Sequence, residues 1–265
     1  MYDFEYHKPS SVADAVKILA ADPDARAISG GMTLLPALKL RLNKPTSVVD
    51  LSGIADLHGV KREGGKIVIG ALTKHYEVAT SAEVKASIPA LAAMAASIGD
   101  TQVRNRGTMG GSVANNDPSA DYPAALLAMG ATIQTDRRTI SADDFFQGMF
   151  ATALEAGELV TAIHIPVPEK AGYAKMKNPA SRYSMAGVFV AKGPAGVRVA
   201  VNGAGNNGVF REAAMEKALA ANWSADAVAG IKVDAGGMNG DIHGSAEYRA
   251  HLVTVMAKRA VVDAG

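Results

Sequence analysis

Two glycine loops stand out among the Gly-Gly pairs of this chain, and no other feature limits the fold as much. The first is Ile28-Ser29-Gly30-Gly31-Met32-Thr33-Leu34-Leu35-Pro36; the second is Arg106-Gly107-Thr108-Met109-Gly110-Gly111-Ser112-Val113-Ala114-Asn115-Asn116-Asp117. Glycine reaches backbone conformations closed to other residues. It also lets adjacent N–H groups turn toward a ligand, where they bind phosphate oxygens, and a flanking Ser or Thr hydroxyl adds a donor. In the first segment a short predicted strand, Ala25–Ser29, runs into the glycines. Leu34, Leu35, Leu38 and Leu42 then follow at helical spacing, so a helix N-terminus would add its partial positive charge. No Gly-Lys-Thr or Gly-Lys-Ser follows either pair, and neither has the three-glycine dinucleotide pattern. Taken singly, each pair reads equally as an anion cradle or as an ordinary glycine turn.

The rest of the chain supplies a frame for these segments. Ser11–Ala20 predicts a helix with Ser11 and Asp14 in capping-box positions, and Ser47–Leu51 predicts a strand, so residues 1–55 alternate as an α/β unit. Lys66–Ala71 predicts a strand and Glu83–Ile98 a buried helix that Gly99 ends. Asp100–Asp121, rich in Gly, Asn and Asp, predicts turns and short extended pieces, and loops of that length in a compact domain are usually functional. A helix at Ala124–Met129, a strand near Ala131–Thr135, a short helix at Ala142–Phe146 and a strand at Leu159–Ile165 complete this part. Then the pattern changes. Gly172–Lys177, Met185–Ala191 and Gly196–Asn202 predict an antiparallel meander, followed by helices at Phe210–Ala220 and Ala246–Val261. Ser245 caps the last, with Tyr248, Leu252, Val255 and Arg259 on one side. These changes set boundaries near residues 55 and 170.

Composition excludes whole classes of function. With 27 Lys+Arg against 26 Asp+Glu among 265 residues, the net charge of +1 gives no global field to hold nucleic acid or an anionic membrane. No apolar run reaches the roughly 20 residues of a membrane span. The opening Met-Tyr-Asp-Phe-Glu-Tyr-His lacks the apolar segment of a signal peptide, which points to the cytoplasm. The chain has no cysteine, which removes disulfides, thiolate zinc, thiol catalysis and any iron–sulfur cluster held by this polypeptide.

Side-chain candidates for chemistry are few. Asp121 is placed either to accept from a ribose hydroxyl or to cap the helix after it. The six histidines, His7, His58, His75, His164, His243 and His251, have no metal-ligand spacing and read as surface or core residues. Tyr173, Tyr183 and Phe189 read as packing residues, although a ring beside a flavin would come from such a segment. Lys39 and Arg41 read as a solvated helix face. No catalytic residue and no metal site can be picked out.

Together the segments resemble one family. Ser29-Gly30-Gly31-Met32-Thr33-Leu34-Leu35-Pro36, with Lys39-Leu40-Arg41 behind it, resembles the first flavin-diphosphate loop of the FAD-binding medium subunit of molybdenum hydroxylases, the group that contains carbon monoxide dehydrogenase and xanthine dehydrogenase. Gln102 through Ser112, then Asn115-Asn116-Asp117-Pro118 and Asp121-Tyr122-Pro123, resembles that family's second loop. The similarity continues through Arg138-Thr139-Ile140, Asp143-Asp144-Phe145-Phe146, Lys175 to Tyr183, and Gly244-Ser245-Ala246-Glu247-Tyr248-Arg249. It departs in three places: Ser29 stands where Ala is usual, Met32 where His or Gln is frequent, and Ser181-Arg182 before Tyr183 where the carbon monoxide enzymes tend to have Gly-Asp.

The resemblance implies an α+β fold: a two-lobed FAD-binding domain of the vanillyl-alcohol-oxidase-like class, with lobes 1–55 and 56–170, and a C-terminal α+β domain, 171–265, with an antiparallel sheet. It implies that the backbone of Ser29, Gly30, Gly31, Met32 and Thr33 and of Thr108, Met109, Gly110, Gly111 and Ser112 holds the diphosphate of FAD. It further implies Asp121 on the ribose side, Tyr183 near the isoalloxazine and Lys175 at the flavin's polar edge. The implied role is electron transfer. FAD would collect electrons from a small [2Fe-2S] subunit, itself supplied by a large molybdopterin subunit, in a dimer of heterotrimers. The missing cysteines agree, since the clusters must then sit in another polypeptide. The rivals are a self-sufficient FAD oxidoreductase of the same fold superfamily and a non-catalytic module that binds a phosphorylated ligand.

Overall fold

The computed structural model describes residues 1–265. The N-terminal part is a small parallel sheet, β1 (Glu5–His7), β2 (Arg26–Ile28) and β3 (Ser47–Asp50), in the order β1-β3-β2. The helix α1 (Val12–Ala21) crosses between the first two strands. It is capped as the sequence predicts, Ser11 Oγ accepting from Asp14 N–H at 3.1 Å. The central strand carries Val48 and Val49, both buried, as a parallel strand covered on both faces requires. The helix α2 (Leu34–Lys39) follows the first glycine segment but is shorter than its leucine spacing suggests: Leu38 is buried, whereas Leu42 lies beyond the helix and is 78% exposed.

The middle part is an antiparallel sheet ordered β4-β5-β10-β6-β7, built from β4 (Val60–Glu63), β5 (Lys66–Gly70), β6 (Thr132–Thr135), β7 (Thr139–Ser141) and, after the hairpin β8 (Phe146–Gly148) and β9 (Ala151–Thr152), β10 (Val160–Pro166). Six helices lie between β5 and β6. The expected single helix over Glu83–Ile98 is two, α4 (Ala82–Ser87) and α5 (Pro89–Ala96), after α3 (His75–Thr80). Pro89 has no N–H to continue α4 and starts α5 instead. The expected turn region Asp100–Asp121 is also largely helical, with α6 (Thr101–Arg106) and α7 (Met109–Asn115). Caps outweigh glycine content here: Asp100 and Thr108 each accept from the N–H three residues on, at 2.8 and 3.1 Å. Asn116, at φ +44, ends α7 in the left-handed conformation that Asn tolerates.

The helix α8 (Tyr122–Met129) is apolar all round and every residue in it is buried, which marks it as a central support. The short helix α9 (Ala142–Phe145) follows β7. Beyond it stands the antiparallel meander β11 (Lys170–Lys177), β12 (Ser184–Gly193), β13 (Gly196–Asn202) and β14 (Phe210–Arg211). It is backed by α10 (Ala213–Ala221), α11 (Ala225–Ala229) and α12 (Ala246–Asp263). The buried face of α12 is Arg249, Ala250, Leu252, Val253, Met256, Ala257, Ala260 and Val261. Of the four residues the sequence put on one side, Leu252 belongs to that face, while Tyr248 and Arg259 are exposed. No helix is long and apolar enough to cross a membrane.

The core does not follow the strand groups. One buried cluster joins Ile67, Ile69 and Ile163 of the middle sheet, Leu126 and Leu127 of α8, and Phe189, Ala191 and Ala200 of the meander. A second lies between the meander and α12, and a third joins α1 and β3 to Leu72 and Leu159.

Candidate functional site

A groove of about 560 Å3 opens where the three parts meet. Its walls include Ser29–Leu34 from the first glycine segment, Gly107, Thr108 and Gly110–Ser112 from the second, His75 and Asp121 from the middle part, and Ser181–Tyr183 from the turn before β12. The groove thus unites segments far apart in sequence, and of the site residues expected from sequence all but Met109 and Lys175 line it.

The first segment is a row of free donors. The backbone N–H groups of Ser29, Gly30, Gly31, Met32, Thr33 and Leu34 make no hydrogen bond within the protein; the next, of Leu35, donates to the Gly31 carbonyl at 3.0 Å. Gly31 sits at φ +72, where a side chain would be strained. Unpaired backbone donors are costly unless water or a ligand meets them, so six in a row on residues that line a groove are the makings of an anion cradle.

The second segment differs from expectation. Its N–H groups are already committed: Met109 donates to the Thr73 carbonyl and Gly110 to the Ala71 carbonyl, both at 2.9 Å, while Gly111 donates to Thr108 Oγ1 and Ser112 to the Thr108 carbonyl, both at 3.1 Å. Of residues 108–112 only the Thr108 N–H is left over, and the Ser112 hydroxyl adds a side-chain donor. The glycines here serve close packing. A Cβ on Gly110 would lie 2.5 Å from the Ala71 side chain, and one on Gly30 would lie 2.1 Å from the Arg106 carbonyl oxygen. The two segments therefore interlock, and Thr108 Oγ1 donates to Ser29 Oγ at 3.0 Å across the joint. Met109 is fully buried in the core and does not line the groove, because the face of α7 that carries it points inward. Met32 and Thr33 are exposed at the rim.

Asp121 reaches the groove wall but does not cap α8: its side chain makes no capping bond. Instead Oδ1 accepts from the Tyr173 hydroxyl, and Oδ2 pairs with Lys175 Nζ at 2.8 Å. Lys175 is buried behind Asp121 and is not part of the wall, so it meets the groove only through that carboxylate. Burial, then the Asp121 charge, holds the Tyr173 phenol well above its ordinary value. Asp121 is thus an acceptor fixed from behind, with lone pairs to spare on both oxygens. Tyr183 is half exposed on the groove wall; burial, then Asp117 and Asp121, raise its phenol too.

Tyr173 and His75 were not assigned to the site from sequence. Tyr173 and Lys175 alternate on β11 and so share a face, which is the periodicity that could have paired them with one acid. His75 follows Thr73-Lys74 at the start of α3 without any ligand spacing. It is 5% exposed, lies against Gly107 and packs on the Tyr122 ring with centroids 5.4 Å apart.

The groove fits a dinucleotide on the structure's own terms. Its volume lies within the usual range for small-molecule sites, and it combines a row of free N–H donors with a fixed carboxylate and an aromatic ring. Comparison with known proteins points the same way. Residues 2–168 match the FAD binding domain in molybdopterin dehydrogenase. The nicotine 6-hydroxylase medium subunit of Paenarthrobacter nicotinovorans is 35% identical over 98% of this chain and 96% of its own length. The carbon monoxide dehydrogenase medium chain of Afipia carboxidovorans is 36% identical over 97% and 95%. Among solved structures, reconstituted CO dehydrogenase from Oligotropha carboxidovorans superposes with a TM-score of 0.91 at 34% identity, covering 99% of this chain and 98% of that one.

Proposed function

The chain belongs to the family of FAD-binding domains of molybdopterin dehydrogenases, and on that premise we propose that it is the FAD-binding, electron-transfer subunit of a molybdenum hydroxylase complex. Its partners are a small iron–sulfur subunit and a large molybdopterin subunit, assembled as a dimer of heterotrimers in the cytoplasm. The medium-subunit names of its full-length relatives support that arrangement. When bound, FAD supplies the redox chemistry, taking up two electrons and passing them to an external acceptor.

The chain's own residues bind and orient. The free N–H groups from Ser29 to Thr33 hold the diphosphate, with the Thr108 N–H and the Ser112 hydroxyl on the adjoining segment. Asp121, steadied by Tyr173 and Lys175, accepts from the ribose side, and Tyr183 lies along the isoalloxazine. Lys175 acts through Asp121 rather than at the flavin's edge. With boundaries near 55 and 170, both lobes line the groove and the C-terminal part adds Ser181, Arg182 and Tyr183.

The observation that carries this reading is the row of six unbonded N–H groups on residues that line the groove. The purified full chain is expected to carry about one FAD per polypeptide, or to take it up when FAD is added, read by visible flavin absorbance and by extraction. A chain that neither retains nor takes up FAD overturns the reading.

A further inference from the structure

His75 is the one buried imidazole on the groove wall, and the reading above leaves it unused. Its Nδ1 is sealed from solvent with no hydrogen-bond partner. Nε2 also has no partner in the protein, and it lies on the Gly107 side of the ring, where a Cβ added to Gly107 would come within 2.5 Å of it. Gly107 is in turn the residue on which Gly30 packs. His75 therefore stands behind the joint of the two glycine segments, where the free N–H row begins.

A neutral imidazole carries its proton on one nitrogen and a lone pair on the other. Leaving a buried N–H without an acceptor costs more than leaving a buried lone pair without a donor. Sealed and unpartnered Nδ1 thus takes the lone pair, and the proton goes to Nε2. Burial, and secondarily the Arg104 charge on α6, pushes the ring down to about 4, so it is neutral near pH 7. Tyr122 of α8 is the titratable ring in contact, and α5 brings no titratable group to this face.

We propose that His75 is a cofactor-contact residue: held as the Nε2–H tautomer, it donates an uncharged hydrogen bond to a diphosphate oxygen of FAD at the joint of the two glycine segments. This rests on the FAD reading. It adds a side-chain donor to a cradle otherwise built from main chain, and one that brings no positive charge beside the cofactor.

The test measures FAD affinity of the full chain by flavin fluorescence, with riboflavin, which lacks the diphosphate, as the second probe and thermal unfolding as the check on folding. His75→Leu keeps the bulk and removes the donor. It is expected to weaken FAD binding about tenfold or more while leaving riboflavin binding within about twofold. His75→Gln puts an amide N–H near the place of Nε2–H and is expected to recover most of the loss, whereas His75→Asn, which mimics Nδ1, is not. Imidazole nitrogen NMR of the wild-type chain is expected to show Nε2 protonated and Nδ1 bare near pH 7. A proton on Nδ1 overturns the proposal even if every variant fails to fold. So does a folded His75→Leu chain that binds FAD as the wild type does, or one that loses FAD and riboflavin equally. In these cases wild-type FAD binding leaves the electron-transfer reading standing; a wild-type chain that binds no FAD removes both.

Discussion

Gly30 is fixed by what lies opposite it, not by its own conformation. An added Cβ would stand 2.1 Å from the Arg106 carbonyl oxygen and 2.8 Å from Gly107 Cα, and backbone cannot swing aside. Gly30→Ala is therefore expected to lower stability by about 2–3 kcal/mol and to weaken FAD binding by displacing the N–H row that starts there. Gly111→Ala meets Ser29 Oγ at 2.6 Å and Thr108 Oγ1 at 2.9 Å, atoms at the ends of side chains, so its effect should be smaller. Gly237→Ala, with nothing within 4 Å, should be near neutral. Chemical denaturation of the three variants checks the order; equal stability for Gly30→Ala and Gly237→Ala would remove the interlock. At this scale the sequence located the residues better than their duties. Paired glycines announce a tight place, but whether a given N–H is left free or meets a neighbouring carbonyl depends on a turn some forty residues away, as the bonds from Met109 and Gly110 to Thr73 and Ala71 show.

At the scale of elements, the turn between β6 and β7 is tied to the start of β10 by one acid. Glu158, with no exposed side-chain surface, accepts from Arg138 Nε at 3.0 Å and Nη2 at 2.9 Å, from Thr135 Oγ1 at 2.7 Å and from the Glu155 N–H at 2.8 Å. The Arg138 bonds, ahead of the others, hold its carboxyl down to about 2 against an ordinary 4.5. A carboxyl lowered in the folded state stabilises fully above its unfolded value, and the contribution fades as pH falls between the two. Thermal stability should accordingly drop from about pH 4.5 toward pH 2. Glu158→Gln should be less stable at pH 7 and show a shallower acid slope; an unchanged slope would mean that other acids, such as Asp143 beside Arg198 and Arg211, govern the transition. Element type was legible wherever periodicity was strong, as in the meander from Lys170 to Asn202. It was lost where capping decided the outcome: Asp100 and Thr108 turn a glycine-rich stretch into two helices, and Pro89 splits one long apolar run.

For the whole molecule, the question is whether the sequence boundary near 170 is also a boundary of folding. The sheets separate there, β10 ending at Pro166 and β11 beginning at Lys170. The interior does not separate, because α8 is covered by β12 and β13, and Phe189, Ala191 and Ala200 belong to the same buried cluster as Ile67 and Leu126. Polar ties cross as well: Asp121 to Tyr173 and Lys175, Asn202 Nδ2 to the Ala120 carbonyl at 2.9 Å, and Arg198 to Asp143 at 2.7 Å. None of this could be read from local pattern, since a fully apolar helix says that it is buried but not by what. A fragment ending at residue 170 would bare several large apolar side chains of α8 and its surroundings, each worth about 1.5–3 kcal/mol. It would also leave the Asp121 carboxylate without its cation. That loss is comparable with the roughly 5–15 kcal/mol stability of an entire domain. The fragment 1–170 is therefore expected to show no cooperative unfolding transition and no FAD binding, and the intact chain to unfold its middle and C-terminal parts in one step. A soluble fragment that melts cooperatively and takes up FAD would show that the C-terminal part merely leans on the site instead of completing it.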